Sequence, residues 1–289
     1  MRSYALPLAC AITILTPPGA AAQTTPVTFE DIPWVVGPAT GQLGGEAQVG
    51  VPAGCIFTGE DGVRQFMELT ENPVGGNELG AIYCEPGSES GASDWFVVFS
   101  YSPSGYVRDD ERDQLDADAI LESIRQGTDA ANEERRRRGW GALSIAGWVS
   151  RPHYDVSTNN LTWALTALGD DGSETVNYSV RLLGREGVMN VDLVASPDQL
   201  ASLTTTFDGI LAGFDYLPGH RYAEWKAGDR IASYGLTALV AGGAGAVAAK
   251  TGLLAKMWKL ILAAVVAVLA GLKGLWARLT GRGSAARRA

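Results

Sequence analysis

Apolar residues are distributed along this chain in three distinct ways. Tyr4 to Leu15 is a short apolar run near the start. From Ala47 to Ala212 apolar and polar residues alternate in brief stretches. From Leu260 to Leu272 no polar side chain occurs. Strand side chains repeat every two residues and helix side chains about every 3.6, so period divides the middle regime into elements. Ala47 to Val51, Ala81 to Cys84 and Trp95 to Tyr101 read as strands. Val63, Phe66 and Leu69 share one face of a predicted helix over Asp61 to Leu69. A Gly/Ser-rich loop, Glu85 to Ser93, separates two of the strands.

The clearest helical pattern begins near Asp116. Acids crowd its first turn, Ile120, Leu121, Ile124, Thr128 and Ala131 fall on one face, and Arg135 to Arg138 precede Gly139. A negative start, a positive end and a closing glycine match the helix dipole and the left-handed cap that ends many helices. Four strand-like runs come next: Ser144 to Ser150, Leu161 to Leu168, Thr175 to Leu183 and Gly187 to Ala195. Turn compositions separate them at 157–160 and 169–172. A last helix is predicted over Asp198 to Ala212. Strand groups interrupted by helices predict an α+β fold, an antiparallel sheet with flanking helices.

The two ends predict export and anchoring. Arg2, the apolar run, the break at Pro17-Pro18-Gly19 and the small residues Ala20 to Ala22 make 1–22 a signal peptide. At the other end Trp258 and Trp276 lie 18 residues apart, a separation of about 27 Å along a helix, which suits the hydrocarbon thickness of a bilayer. Residues 230–277 are therefore expected to be a membrane anchor, with a core span over 257–276 and a basic tail at 278–289. Ile231 to Ala249 is a Gly/Ala-rich candidate for an additional span, so the anchor is a single transmembrane helix or a helical hairpin. A hairpin would leave the tail arginines outside, against the positive-inside tendency. Residues 23–229 are then the exported ectodomain, on the periplasmic side of the inner membrane. Tyr222, Trp225 and Tyr234 are expected to be interface anchors near the bilayer.

Charge divides the chain at the same place. All 32 acids lie between Glu30 and Asp229, with 13 basic residues among them, a formal charge of −19. Nine basic residues and no acid lie beyond. Such an acidic domain repels phosphate backbones, which argues against nucleic acid as a partner, while the basic C-terminal part suits an anionic lipid bilayer.

Candidate chemistry is sparse. Cys55 and Cys84 are an even pair, either bonded in an oxidising compartment or left as two buried thiols. His153, Tyr154 and Asp155 stand together in sequence and could serve acid–base catalysis or simply satisfy a turn. Six carboxylates between Asp109 and Asp118 lack the central glycine and distal glutamate of a calcium loop, so no metal is expected. Gly243 to Lys250 matches a nucleotide fingerprint only formally, because its glycines lie inside an apolar segment; no cofactor is expected.

Several motifs are distinctive: Gly105-Tyr-Val-Arg-Asp-Asp-Glu111, Pro152-His-Tyr-Asp155, Leu183-Gly-Arg185 with Gly187-Val-Met189, Pro218-Gly-His-Arg-Tyr-Ala-Glu224 and Tyr234-Gly-Leu236. In their order and spacing they resemble a bacterial family of predicted membrane-anchored proteins carrying a domain of unknown function, over roughly Pro33 to Leu275. The resemblance implies an envelope location and a membrane anchor, and it carries no activity. The order of strands and the closing helix also resemble the Mog1/PsbP type of αβα sandwich, as a likeness of pattern. The expected function is a non-enzymatic binding or scaffold ectodomain, with another envelope protein or a ligand as partner. The alternative is an envelope hydrolase or transferase with its site near His153.

Overall fold

The computed structural model describes residues 28–84 and 95–241. The predicted signal peptide, the Gly/Ser-rich loop and the expected span over 257–276 lie outside the described residues. In chain order the strands are β1 (Val35–Val36), β2 (Ala39–Leu43), β3 (Ala47–Val51), β4 (Cys55–Gly59), β5 (Glu78–Cys84), β6 (Trp95–Ser102), β7 (Leu143–Asp155), β8 (Asn160–Gly169), β9 (Glu174–Leu183), β10 (Val188–Ala195) and β11 (Phe214–Tyr216). The helices are α1 (Glu60–Leu69), α2 (Ala117–Arg138), α3 (Leu200–Ala212) and α4 (Leu236–Val240). Eight strands form one antiparallel sheet in the order β1-β4-β5-β6-β10-β9-β8-β7, and β11-β3-β2 form a second, smaller one. This is the α+β architecture that the periodicity predicts.

Register decides what each face of the large sheet carries, because residues paired across strands point the same way. Phe99 pairs with Val191 and Val191 with Val180, which sets one face. The small sheet and α3 cover it with Leu43, Val49, Leu203, Phe207 and Ile210. Val98 pairs with Asp192, Asp192 with Ser179 and Ser179 with Trp163, which sets the other. That face is covered in two places. Under α1, Phe66 makes edge-on contacts with Phe29, Trp34, Tyr83 and Phe96; burying one such ring contributes about 1.5–3 kcal/mol. Under α2 and α4, Ile120, Leu236 and Leu239 pack on Leu161, Trp163 and Leu165.

Cys55 and Cys84 are register partners on β4 and β5 and are joined by a disulfide, with their Cα atoms 4.2 Å apart. Both belong to the core beneath the small sheet.

Helix α2 begins and ends where its charges and glycine place it. Asp116 accepts a hydrogen bond from Ala119 N at 3.0 Å, and Gly139 closes the helix in the left-handed region. Its predicted apolar face holds only in the first half, where Ile120 is buried. Further on Ala131 is exposed, while Asn132 and Arg135 are buried. The reason lies in the sheet. Strand β7 is an edge strand, and α2 lies beside it. Asn132 donates to Leu143 O at 2.7 Å and accepts from Leu143 N at 2.9 Å; Arg125 donates to Ile145 O and Ala146 O. Polar side chains here stand in for a missing strand, which apolar periodicity cannot register.

The packed structure continues past Asp229. Leu236 is fully buried, and Leu239 and Val240 nearly so, in the cluster that also holds Ile120 and Trp163. Helix α4, within the stretch weighed as an additional span, therefore packs on protein. A span over 231–249 would have to withdraw Leu236, Leu239 and Val240 from that cluster. Hydropathy alone does not distinguish burial in protein from burial in lipid. No helix among the described residues is long and apolar enough to cross a membrane.

Candidate functional site

The distinctive motif segments, distant in sequence, converge at one end of the large sheet, where residues 217–241 cross it as a strap. After β6 the chain turns at Gly105, with φ of +92°; a Cβ there would lie 2.6 Å from Arg230 O, so only glycine fits. Tyr106 then pairs in parallel with Ile231. Its N–H donates to Arg230 O at 2.8 Å, and its carbonyl accepts from Ala232 N at 2.9 Å. The Tyr106 ring stacks on Tyr222 at 4.4 Å and meets Trp225 at 5.2 Å. The Tyr222 hydroxyl donates to Val107 O at 3.0 Å.

Charged groups clamp the same strap. Arg185, in the turn after β9, donates to both carboxylate oxygens of Asp229 at 2.6 and 2.8 Å, and also to Gly219 O. This forked pairing is the strongest geometry open to an arginine and a carboxylate. The Arg185 hydrogen bonds hold the Asp229 carboxyl down to about 2. Glu224 accepts from Gly219 N and Arg221 N, and Glu111 accepts from Thr237 N at the first turn of α4. Just before the strap, the enclosed Tyr216 hydroxyl donates to Leu182 O at 2.7 Å and accepts from Met189 N at 2.8 Å.

Burial raises several tyrosine hydroxyls around the strap. Burial raises the Tyr154 hydroxyl far above its ordinary value, and the charge and hydrogen bond of Asp109 add to it. Burial and a hydrogen bond with Tyr106 do the same for Tyr222. Tyr101 is pushed up to about 12 by burial and then by the charges of Glu46 and Glu186. A cleft of about 480 Å³, lined by Asn77, Tyr101, Ser102, Arg230 and Tyr234 among others, opens on one flank of the strap. A second, of about 310 Å³, is lined by Arg108, Asp110, Glu111 and Ser233 with their neighbours. Elsewhere, between the areas under α1 and α2, the sheet carries a polar strip. There Ser179 and Arg181 both donate to Asp192, and the Arg181 guanidinium lies 4.7 Å from the Trp163 ring centre. These groups satisfy one another and leave little charge to recruit a ligand.

The three residues singled out for acid–base chemistry are not brought together. His153 is exposed, Tyr154 is buried on the opposite side of β7, and Asp155 accepts from Ser157 N and Oγ within the turn. The acidic run is likewise engaged locally: Asp109 pairs with Arg112, Asp116 caps α2 and Asp118 pairs with Arg151. Among the described residues no group of three or more His, Cys, Asp or Glu is placed to hold a metal. Of the three expected interface anchors, Tyr222 is committed to the domain by its stacking and hydrogen bond, whereas Trp225 is exposed. Chemistry-directed reading missed Tyr106, Arg185 and Asp229 as a set. The signal for most of it lay in the motif segments, which gather here.

The chain belongs to the family described as protein of unknown function (DUF2167), whose model matches residues 36–273. No curated protein matches it. Among solved structures it is similar to the cyanobacterial PsbP (CyanoP) of Synechocystis, at 13% identity and a TM-score of 0.36, over 62% of this chain and 91% of that one. It is also similar to PA94, a protein of unknown function from Pseudomonas aeruginosa, at 12% identity and a TM-score of 0.26, over 45% of this chain and 78% of that one.

Proposed function

We propose that this is an envelope protein of the inner membrane whose α+β domain is exported and works as a binding or scaffold unit without catalytic chemistry. The observation that carries the reading is the strap. Arg185, Glu111, Tyr106 and Tyr216 fasten residues 214–241 to the sheet, so the chain leaves the domain from a fixed point beside α4. Beyond that point lies the acid-free segment with the apolar stretch Leu260 to Leu272. The Cys55–Cys84 disulfide favours an oxidising compartment.

Topology tests the reading directly. Alkaline phosphatase should be fused after Ala241, which preserves α4 and the Asp229 clamp, and a fluorescent reporter after Ala289. Phosphatase activity at the first site with cytoplasmic fluorescence at the second is expected for an exported domain and one net crossing. Phosphatase activity at Ala241 and again when the enzyme is fused after Ala289 in place of the fluorescent reporter would mean a hairpin. Absence of phosphatase activity at Ala241 in a well-expressed fusion would refute export.

A further inference from the structure

We propose that the face around the strap rests on an anionic bilayer surface, an inference that depends on the membrane anchoring proposed for this chain. Trp225 and Ile231 are 37% and 40% exposed. Both touch the same residue: Trp225 packs on the Tyr106 ring, and Ile231 is the backbone partner of Tyr106. They therefore share one patch. Arg108, Lys226 and Arg230 are exposed around it. Of the carboxylates close by, Asp229 is paired with Arg185, Glu224 and Glu111 are half-buried and accept from backbone N–H groups, and Glu186 is exposed. Asp110 is likewise exposed.

Three exposed cations beside an indole stand out in a region whose formal total is −19 over 30–229. The position of the patch supplies the occupant. The described chain ends at Ala241, one short helix beyond Tyr234, and every later residue is acid-free. Indole and aliphatic groups beside lysine and arginine suit the headgroup region of an anionic leaflet, where the rings sit at the interface and the cations meet lipid phosphates. The patch and the chain beyond it thus favour the same surface.

The test uses residues 23–289 in liposomes, with a nitroxide on Ile231→Cys or, for comparison, on Val36→Cys in the exposed edge strand β1. Collisions with a water-soluble nickel chelate are measured in phosphatidylcholine with and without phosphatidylglycerol. The expected result is a several-fold lower collision rate at 231 than at 36 in anionic liposomes, lost when Arg108→Glu and Lys226→Glu are combined. Equal rates at both sites in liposome-bound protein would overturn the proposal while leaving anchoring intact. Equal protection in neutral liposomes would overturn the charge recognition. Dipolar broadening at 231 would place a second copy of the chain there instead. Failure of the chain to float with liposomes would overturn the anchoring reading itself.

Discussion

Tyr216→Phe removes one oxygen and nothing else, and its effect can be worked out from the structure. The side chain is 6% exposed, and its hydroxyl joins two backbone groups, Leu182 O and Met189 N, on neighbouring strands β9 and β10. Without it the Met189 N–H faces an apolar ring edge. The Leu182 carbonyl suffers less, because a carbonyl oxygen has a second lone pair. An unpaired buried group costs about 1–3 kcal/mol, so about 2 kcal/mol is expected for the pair. That is about a 30-fold fall in the folding constant and a drop in Tm of about 4–8 °C for a domain of this size. Urea unfolding of the purified chain in detergent, tracked by tryptophan fluorescence, measures it, and an unchanged slope confirms that only stability moved. A loss below about 0.5 kcal/mol would refute the bridging role, because it would mean that both groups find other partners.

The same geometry sets the outcome of other perturbations. Removing the disulfide by Cys55→Ala with Cys84→Ala should cost about 3–4 kcal/mol in the chain-entropy model for a separation of 29 residues; thermal melts with and without reductant should differ for the parent and coincide for the variant. Gly105→Ala forces a Cβ toward Arg230 O at positive φ and should cost about 1–3 kcal/mol, seen as faster proteolysis within 217–241. Asp229 has its carboxyl lowered from 3.8 to about 2. Its contribution is therefore present above about pH 4 and lost as pH falls towards 2. Pepsin digestion of the strap should accelerate across that window in the parent, and Asp229→Asn should show fast cleavage at both ends of it.

How far the sequence could be read depended on whether apolar spacing was the operative signal. Strands β3, β6, β8, β9 and β10 and helices α1 and α3 bury apolar residues at regular intervals, and their alternation locates them closely. Asp116 and Gly139 likewise mark the ends of α2 by capping chemistry. The short strands β1, β2 and β11 have too few residues for a period, and β4 is short and flanked by glycines. The lower half of α2 was misjudged at Ala131 because Asn132 and Arg135 are buried for their hydrogen bonds. Residues 236–240, inside the 231–249 stretch weighed as an additional span, are buried in the domain, and a helix buried in protein and one buried in lipid share a hydropathy. The candidate site was least legible. His153, Tyr154 and Asp155 are neighbours in sequence, yet strand geometry sends the first two to opposite sides. Arg185 and Asp229 are distant in sequence and meet only because the strap crosses the turn after β9.

Strand β7 is long for a sheet margin, running over 13 residues. Copies of a chain confined to one plane and oriented alike would meet edge to edge far more often than molecules tumbling in solution. An open margin would then nucleate ribbons. Here Asn132 and Arg125 already occupy the outer backbone groups of Leu143, Ile145 and Ala146. Further along, register shifts around Trp148, Ser150 and His153, together with Pro152, spoil the template for a newcomer. This long margin is closed to lateral growth by its own helix, which leaves only the two-residue strand β1 at the opposite edge of the large sheet.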